Sequence, residues 1–249
     1  MNRPELVPGN HEAIFEFYRA FEPNQKIQRF GFALMHAVYR SEVHYDADAA
    51  SAIREHLEGG GSLIVAPNHQ SNADTPTIGG LIYEDAFALL RDNVIAPGKA
   101  SLFRWPILGK FLEHMGVHPT FRGKDYQDDE EGQLLRKTVA DSVVGLNIDY
   151  VNNGGSIAIF PEGTRNRGNP LEIQKLRTGI GNIAVGVEDP ANVLIVPMGF
   201  AYRWQHVKLS PVVVVNEPFS PESMTRDQVL AETQTRIQSA TIEAFDLAA

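Results

Sequence analysis

The sequence predicts an α/β fold: a mixed, largely parallel sheet covered by helices on both faces, with a helical pair at the amino terminus. Segments with apolar residues at helical spacing alternate with short, continuous apolar runs, which is the pattern of strands buried on both faces. Glycine-rich stops such as Gly59-Gly60-Gly61 separate a helical segment from the strand that follows it. This alternation is typical of parallel sheets with crossover helices.

The amino-terminal segment carries apolar and aromatic residues at three- and four-residue spacing from Glu12 to Arg40, interrupted at Pro23-Asn24. The spacing predicts two helices. Their apolar faces fit two interpretations, packing in a core or contact with a lipid interface. A boundary near residues 41–46 divides the chain into residues 1–45, the helical pair and candidate membrane-contact element, and residues 46–249, the α/β domain.

Three helix-then-strand units follow, and then a last strand and a closing helix. The units are Asp46 to Glu58 with Ser62 to Pro67, Gln133 to Val151 with Ser156 to Phe160, and Thr178 to Val187 with Val193 to Gly199; the last two elements are Pro211 to Val215 and Glu222 to Leu247. Each strand is a short apolar run, as expected for a buried sheet.

The composition is that of an ordinary globular protein, with 43% hydrophobic and 21% charged residues in 249. The absence of cysteine excludes disulfides, thiol nucleophiles and thiolate metal sites, and it fits a reducing compartment. No charged region followed by an apolar core opens the chain, and no window reaches the roughly 20 apolar residues that span a bilayer. We therefore expect a cytoplasmic protein without a signal peptide or a membrane span.

The net charge of -9 argues against nucleic acid as a partner. The charge is unevenly spread, however, because basic residues concentrate in one stretch before an acidic run. They are Arg91, Lys99, Arg104, Lys110, Arg122 and Lys124. We expect a local basic face there.

A histidine and an aspartate five residues apart, His69 and Asp74, come directly after the strand Ser62 to Pro67. A neutral imidazole can take a proton from an attacking hydroxyl, and a carboxylate bonded to its other nitrogen fixes the tautomer and stabilises the imidazolium. The pair lacks its own nucleophile, so the hydroxyl must arrive with the substrate. The alternative interpretation of His69 is a hydrogen-bonded loop residue.

A second polar segment, Phe160 to Arg165, follows another predicted strand. Gly163 permits a backbone conformation that a side chain would forbid, and Arg165 offers a fork for a phosphate or carboxylate. Glu162 can order the site or bind a substrate hydroxyl. Further cations for one phosphate are Arg122, Arg167, Lys175 and Arg177.

Four segments together resemble the ordered sequence blocks of the glycerophosphate acyltransferase superfamily, over roughly residues 60 to 205. They are Asn68-His69-Gln70-Ser71 with Asp74, Gly116 to Arg122, Phe160 to Arg165, and Val196-Pro197-Met198. The first and third are the specific ones. His118-Pro119-Thr120 departs from the residues that relatives usually have before the second-block arginine.

The resemblance implies a role for each matching residue. His69 would be the general base and Asp74 its partner. Arg122 and Arg165 would bind the acceptor phosphate, and the segment Glu162-Gly163-Thr164 would shape that site. Pro197 would help form the acyl side. Arg177-Thr178-Gly179 lies where many relatives have two lysines before a glycine, so Arg177 would be a further phosphate ligand.

The expected reaction is transfer of a fatty acyl group from acyl-CoA or acyl carrier protein to the hydroxyl of 1-acylglycerol-3-phosphate, which forms phosphatidate in phospholipid biosynthesis. Glycerol-3-phosphate is the alternative acceptor, and a lipid-binding module without turnover is the more remote alternative. The thioester is a co-substrate; no cofactor is expected, and no metal, since one histidine with hard oxygen ligands is a poor zinc set. The expected location is the cytoplasmic face of a membrane, bound peripherally through residues 1–45 and the stretch Trp105 to Leu108.

Overall fold

Seven strands form one sheet in the computed structural model, which describes residues 3–205 and 208–249. The strands are β1 (Glu42–Tyr45), β2 (Ser62–Pro67), β3 (Val94–Lys99), β4 (Val117–Thr120), β5 (Ser156–Ala158), β6 (Val193–Gln205) and β7 (Lys208–Val215). Their order is β1-β7-β6-β2-β5-β3-β4. Neighbouring strands are parallel except β6 and β7, which form an antiparallel hairpin. The predicted α/β class is confirmed.

The described residues also form α-helices and short 3-10 helices. The α-helices are α1 (His11–Ala20), α2 (Gln25–Val38), α3 (Ala49–Glu58), α4 (Asp74–Leu81), α5 (Pro106–His114), α6 (Glu130–Asn152), α7 (Gly179–Gly186) and α8 (Arg226–Ala248). The 3-10 helices are Pro8–Asn10, Asp85–Asp92, Ala100–Arg104, Gly123–Asp125 and Pro190–Asn192.

The central strand β2 is buried throughout because helices cover both faces of the sheet. Side chains alternate between the faces of a strand. Leu63 and Val65 accordingly join the cluster that contains residues of α2, α3 and α4, whereas Ile64 and Ala66 join the cluster with residues of α6, α7 and α8. The strand ends at its carboxyl edge in the loop that carries His69.

The amino-terminal helical pair packs partly against this body. Ile14 and Phe15 of α1 are buried in a cluster with residues of α6, and Phe32 of α2 belongs to the cluster beside α4. Glycines 79 and 80 of α4 allow α2 to approach closely, because a side chain there would meet Met35 and His36. Core packing therefore accounts for the buried faces of both helices.

Three strands were not predicted from the sequence. β1 lies within the segment assigned to the helical pair and joins the sheet beside β7. Strands β3 and β4 contain Pro97-Gly98 and Pro119, residues that weaken a strand pattern. β4 is the last strand of the sheet, where a missing backbone donor is tolerated.

Candidate active site

The polar segments identified from the sequence meet at one edge of the sheet. Strands β2, β5, β3 and β4 are parallel neighbours, so their carboxyl ends lie on the same side. The loop after β2 carries His69, and the loop after β5 carries Phe160 to Arg165. Ligands of open α/β sheets usually bind at this edge.

His69 and Asp74 are in hydrogen-bond contact, with 2.8 Å between Nδ1 and Oδ2. An ionised carboxylate can only accept, so Nδ1 carries the proton and Nε2 keeps its lone pair. Asp74 is fully buried at the first position of α4, whereas the His69 side chain keeps 15% exposure. A partly exposed imidazole held by a buried carboxylate is the arrangement of a general base.

Further donors hold the Asp74 carboxylate. The backbone N–H groups of Gln70 and Ser71 donate to Oδ2 at 2.6 and 2.8 Å, and the Tyr202 hydroxyl donates to Oδ1 at 2.5 Å. Burial and the neighbouring Asp74 raise the pKa of Tyr202. Its hydroxyl therefore stays protonated and available as a donor.

Phe160 fixes the plane of the His69 ring. The two rings stack with centroids 4.0 Å apart and an interplanar angle of 19°. Phe160 follows β5, so the second polar segment supplies the ring that stacks against the imidazole of the first segment.

Glu162 ties the two loops together from a buried position. Its Oε1 accepts from the backbone N–H of His69 at 2.6 Å, and its Oε2 accepts from the backbone N–H and the side-chain amide of Gln174 at 2.9 and 3.2 Å. Of the two roles that the sequence allowed, these contacts give Glu162 the ordering one.

Gly163 takes a left-handed backbone conformation, with φ of 72°. Its N–H donates to the carbonyl of Phe160, which closes the turn at the end of β5. A Cβ there would also lie 3.0 Å from Cγ of Arg177. The glycine is required by both the turn and the close approach of Arg177.

Arg165 lies at the loop of the base. Its Nη1 donates to the side-chain oxygen of Asn72 at 2.6 Å, and the carbonyl of His69 accepts from the backbone N–H of Asn166 at 2.6 Å. These contacts place a partly exposed guanidinium beside the loop that links His69 to Asp74.

Other predicted residues surround the same turn with exposed side chains. The carbonyl of Thr164 accepts from the side chain of Gln174, and Lys175 is the next residue along. The backbone N–H of Arg177 donates to the carbonyl of Pro161. Lys175 and Arg177 therefore lie on the segment that packs against the Glu162 turn.

Arg122 shares the edge of the sheet but lies farther along it. It follows β4, which β5 and β3 separate from β2, so at the usual strand spacing it begins about 14 Å from the His69 loop.

Lys99 is the last residue of β3, so it lies between Arg122 and the His69 loop along this edge, and it is opposite Thr120 in register. Sequence analysis did not assign Lys99 to the site because β3 was not predicted. Arg91 precedes β3 and so lies at the other edge of the sheet; the local basic face expected from the sequence therefore does not include Arg91.

Pro197 lies inside the sheet. It is buried opposite Ala66 of β2, and its carbonyl accepts from the backbone N–H of Asn216. Contact with an acyl chain is still a prediction for this residue.

Asn68 is a structural residue of the site that sequence analysis placed in the first block without giving it a role. Its buried amide accepts from the backbone N–H of Phe200 at 2.7 Å and donates to the Phe200 carbonyl at 3.2 Å. The side chain continues the β2–β6 ladder past Pro67 and so fixes the start of the histidine loop. Its position directly before His69 was the available indication.

The fold and the site together have the arrangement of an α/β enzyme with a histidine–aspartate pair at the carboxyl edge of its sheet. The family model described as acyltransferase matches residues 49–201. The chain therefore belongs to the acyltransferase family. Among curated proteins, no sequence matches this chain. The matched range includes His69, Asp74 and Arg165 and ends one residue before Tyr202.

Proposed function

We propose that this acyltransferase moves a fatty acyl group from acyl-CoA or acyl carrier protein to the hydroxyl of 1-acylglycerol-3-phosphate, forming phosphatidate for phospholipid biosynthesis. The observation that carries the proposal is a histidine–aspartate pair and a guanidinium held on one loop system. His69 is held by Asp74, and the Arg165 guanidinium is bonded to Asn72 between them in sequence. The thioester enters as a co-substrate.

The His69 geometry supports a direct transfer. With Nδ1 donating to Asp74, Nε2 takes the proton of the acceptor hydroxyl as its oxygen attacks the thioester carbonyl. The tetrahedral intermediate then collapses, the carbon–sulfur bond breaks, and the imidazolium returns its proton to the leaving thiolate. The products are the ester and the free thiol, and the base ends as it began.

The acceptor phosphate is assigned to the cations around the Glu162 turn. Arg165 is the best placed, because Asn72 holds it beside the base. Arg177 and Lys175 follow on the segment that packs against this turn, and Arg122 lies farther along the same edge of the sheet, after β4. A fork-shaped guanidinium suits a phosphate monoester, which both candidate acceptors carry.

A lipid surface is the proposed partner of an exposed apolar patch on α2 and α5. Phe30, Leu34 and Val38 are exposed on one side of α2, and Ile107 is 88% exposed on α5. Gly31 packs against Phe111, which lies one turn after Ile107. The exposed residues of the two helices therefore lie on neighbouring surfaces.

The position of this patch favours a lipid acceptor. Helix α2 packs against α4, and α4 begins at Asp74. Trp105 is also exposed, and exposed Arg104 and Lys110 flank it, as expected for contact with anionic headgroups. Within the part of the chain that the structure describes, no helix has the length and apolarity to cross a bilayer. We propose peripheral attachment to the cytoplasmic face of a membrane.

Liposome flotation tests the patch. A Phe30→Ser, Ile107→Ser double variant should float much less with anionic vesicles than the parent chain does. Leu134→Ser is the matched control, because Leu134 is an exposed apolar residue on α6. Equal flotation of the parent and the double variant would remove this surface from the proposal.

Product analysis with both acceptors tests the reaction. Purified protein is supplied with radiolabelled acyl-CoA or acyl carrier protein and with either 1-acylglycerol-3-phosphate or glycerol-3-phosphate, with the His69→Ala variant as blank. We expect phosphatidate from the first acceptor. Product only from glycerol-3-phosphate would identify the alternative acceptor, and no product from either would favour a binding module.

A further inference from the structure

The β6–β7 hairpin extends beyond β2, the strand that precedes the histidine loop. The last pair between β2 and β6 is Pro67 with Met198, whereas β6 continues along β7 to Gln205. The extension lies beside the histidine loop, because Asn68 is bonded to both backbone groups of Phe200.

Tyr202 follows Phe200 by two residues and therefore projects from the same face of β6. Its hydroxyl lies 2.5 Å from Oδ1 of Asp74. Arg203, on the other face, is bonded to Glu42 and to the carbonyl of Leu247. Contacts on both faces thus hold this part of the hairpin in place.

The two oxygens of Asp74 have unequal partners. Oδ2 accepts from His69, Gln70 and Ser71. Oδ1 accepts from Tyr202 alone among the residues that the structure describes. Without this hydroxyl, a fully buried carboxylate oxygen would have no donor.

We propose that Tyr202 is a positioning residue of the acyl transfer, which acts through Asp74 on the base His69. This rests on the assignment of His69 as base. The hydroxyl fixes the carboxylate rotamer that meets Nδ1. It also draws negative charge toward Oδ1 and so limits how strongly Oδ2 attracts the imidazole proton.

Few other ionisable groups face the dyad. Glu162 accepts from the backbone N–H of His69, and Arg165 is joined to the loop through Asn72. Tyr39, at the end of α2, lies close enough to Tyr202 to interact with it electrostatically. The hydroxyl of Thr77 lies 3.4 Å from that of Tyr202.

Tyr202→Phe tests the proposal. We expect kcat to fall about tenfold with little change in acceptor KM, because the base is misplaced while the phosphate site is intact. The acid limb of the kcat/KM profile should move about half a pH unit upward, since the carboxylate now attracts the proton more strongly. Tyr150→Phe is the control: it removes a hydroxyl that is bonded to Asn93, near the amino ends of β3 and β5.

A double-mutant cycle separates action through Asp74 from a general packing effect. In the Asp74→Asn background, Tyr202→Phe should cause little further loss of kcat. Full, multiplicative loss in that background would overturn the proposal. So would a Tyr202→Phe enzyme that is less stable but has the parent rate and pH profile.

Two measurements keep the test independent of folding defects and of the acceptor. Incorporation of 3-fluorotyrosine at position 202 keeps the ring and strengthens the donor, so the acid limb should move downward. Proton NMR titration of the His69 ring, without substrate, should show the same two opposite shifts. Unchanged titrations would refute the role of Tyr202 even if the acceptor had been assigned wrongly, whereas shifted titrations without any acyl transfer would instead refute the proposed reaction.

Discussion

His69 and His118 show how differently the fold treats two histidines. His69 follows β2, keeps partial exposure, and has a partner at each side: Asp74 at Nδ1, Phe160 at the ring face and Glu162 at the backbone N–H. His118 lies within β4 and is almost fully buried. Within the described residues neither of its ring nitrogens makes a well-formed hydrogen bond, although the side chain of Asn147 and the backbone of Pro119 lie close enough to interact with the ring.

The surroundings of His118 do not turn it into a second site. A cavity of about 490 Å³ adjoins it near the amino ends of β3 and β4, but the ring nitrogens are closed off from solvent. Burial lowers the pKa of His118 to about 4, so the imidazole is neutral at physiological pH. The comparison teaches that His69 is the better candidate for a base, because it combines directed partners with access, whereas His118 is buried without access.

The largest expected effect comes from removing the partnered imidazole. His69→Ala should lower kcat about 10³-fold, within the range of general-base catalysis. The fold should survive, because Gln70, Ser71 and Tyr202 still donate to the buried carboxylate. Turnover and thermal unfolding of the same preparation measure both effects. A variant that kept a rate within tenfold of the parent would end the base assignment.

Glu162→Gln tests whether the partners of His69 matter beyond its own side chain. The amide would place an NH₂ group against a backbone donor, either that of His69 or that of Gln174. We expect about 1.5–3 kcal/mol lower unfolding free energy and a tenfold or larger loss of kcat, because the histidine loop loses its tie. Urea unfolding and initial rates measure the two effects.

Glu172→Gln is the matched control for that variant. Glu172 lies in the same loop but is exposed, and it accepts from the side chain of Asn169. Glu172→Gln should change neither the unfolding free energy nor kcat much. If both glutamine variants behaved alike, the buried contacts of Glu162 would not be the cause.

The segments that meet at the candidate site could be found in the sequence more readily than the strands of the sheet could. Two short segments after apolar strands contain His69, Asp74, Glu162, Gly163 and Arg165. A local pattern of this kind can be recognised in the sequence without knowledge of the fold. Strands β3 and β4 were missed because Pro97, Gly98 and Pro119 break the apolar pattern. They form because neighbouring strands supply the pairing.

Residues that reach the site from far along the chain could not be predicted. Tyr202 contacts Asp74 across 128 positions, and Asn68 contacts Phe200 across 132. Both contacts depend on the register of β6 against β2, which no local pattern specifies. The same limit applies to Arg122, whose distance from the base follows from the order of strands in the sheet.

Arg165→Ala tests the proposed phosphate site beside His69 and should change kcat less than the variants above do. Loss of a charge-assisted contact should raise the acceptor KM by an amount that corresponds to about 1.5–3 kcal/mol, with kcat within a few-fold of the parent. Arg54→Ala is the control, since Arg54 is an exposed arginine on α3. Equal acceptor KM in the two variants would exclude Arg165 from the phosphate site.

His118→Leu should have the smallest effect on rate and a favourable one on stability. Leucine replaces a buried ring with unbonded nitrogens by an apolar side chain, so the unfolding free energy at pH 7.5 should rise by about 1–2 kcal/mol.

The pKa of His118 is about 4 in the folded chain and about 6.5 when unfolded. Between these values only the unfolded chain takes up the proton, so the parent loses stability as pH falls from about 6.5 to about 4. The leucine variant lacks this contribution, and urea unfolding at pH 7.5 and 5 should show a wider gap at the lower pH. A fall in kcat with intact folding would show that His118 contributes to the active site. The distinction between a catalytic His69 and a structural His118 would then be wrong.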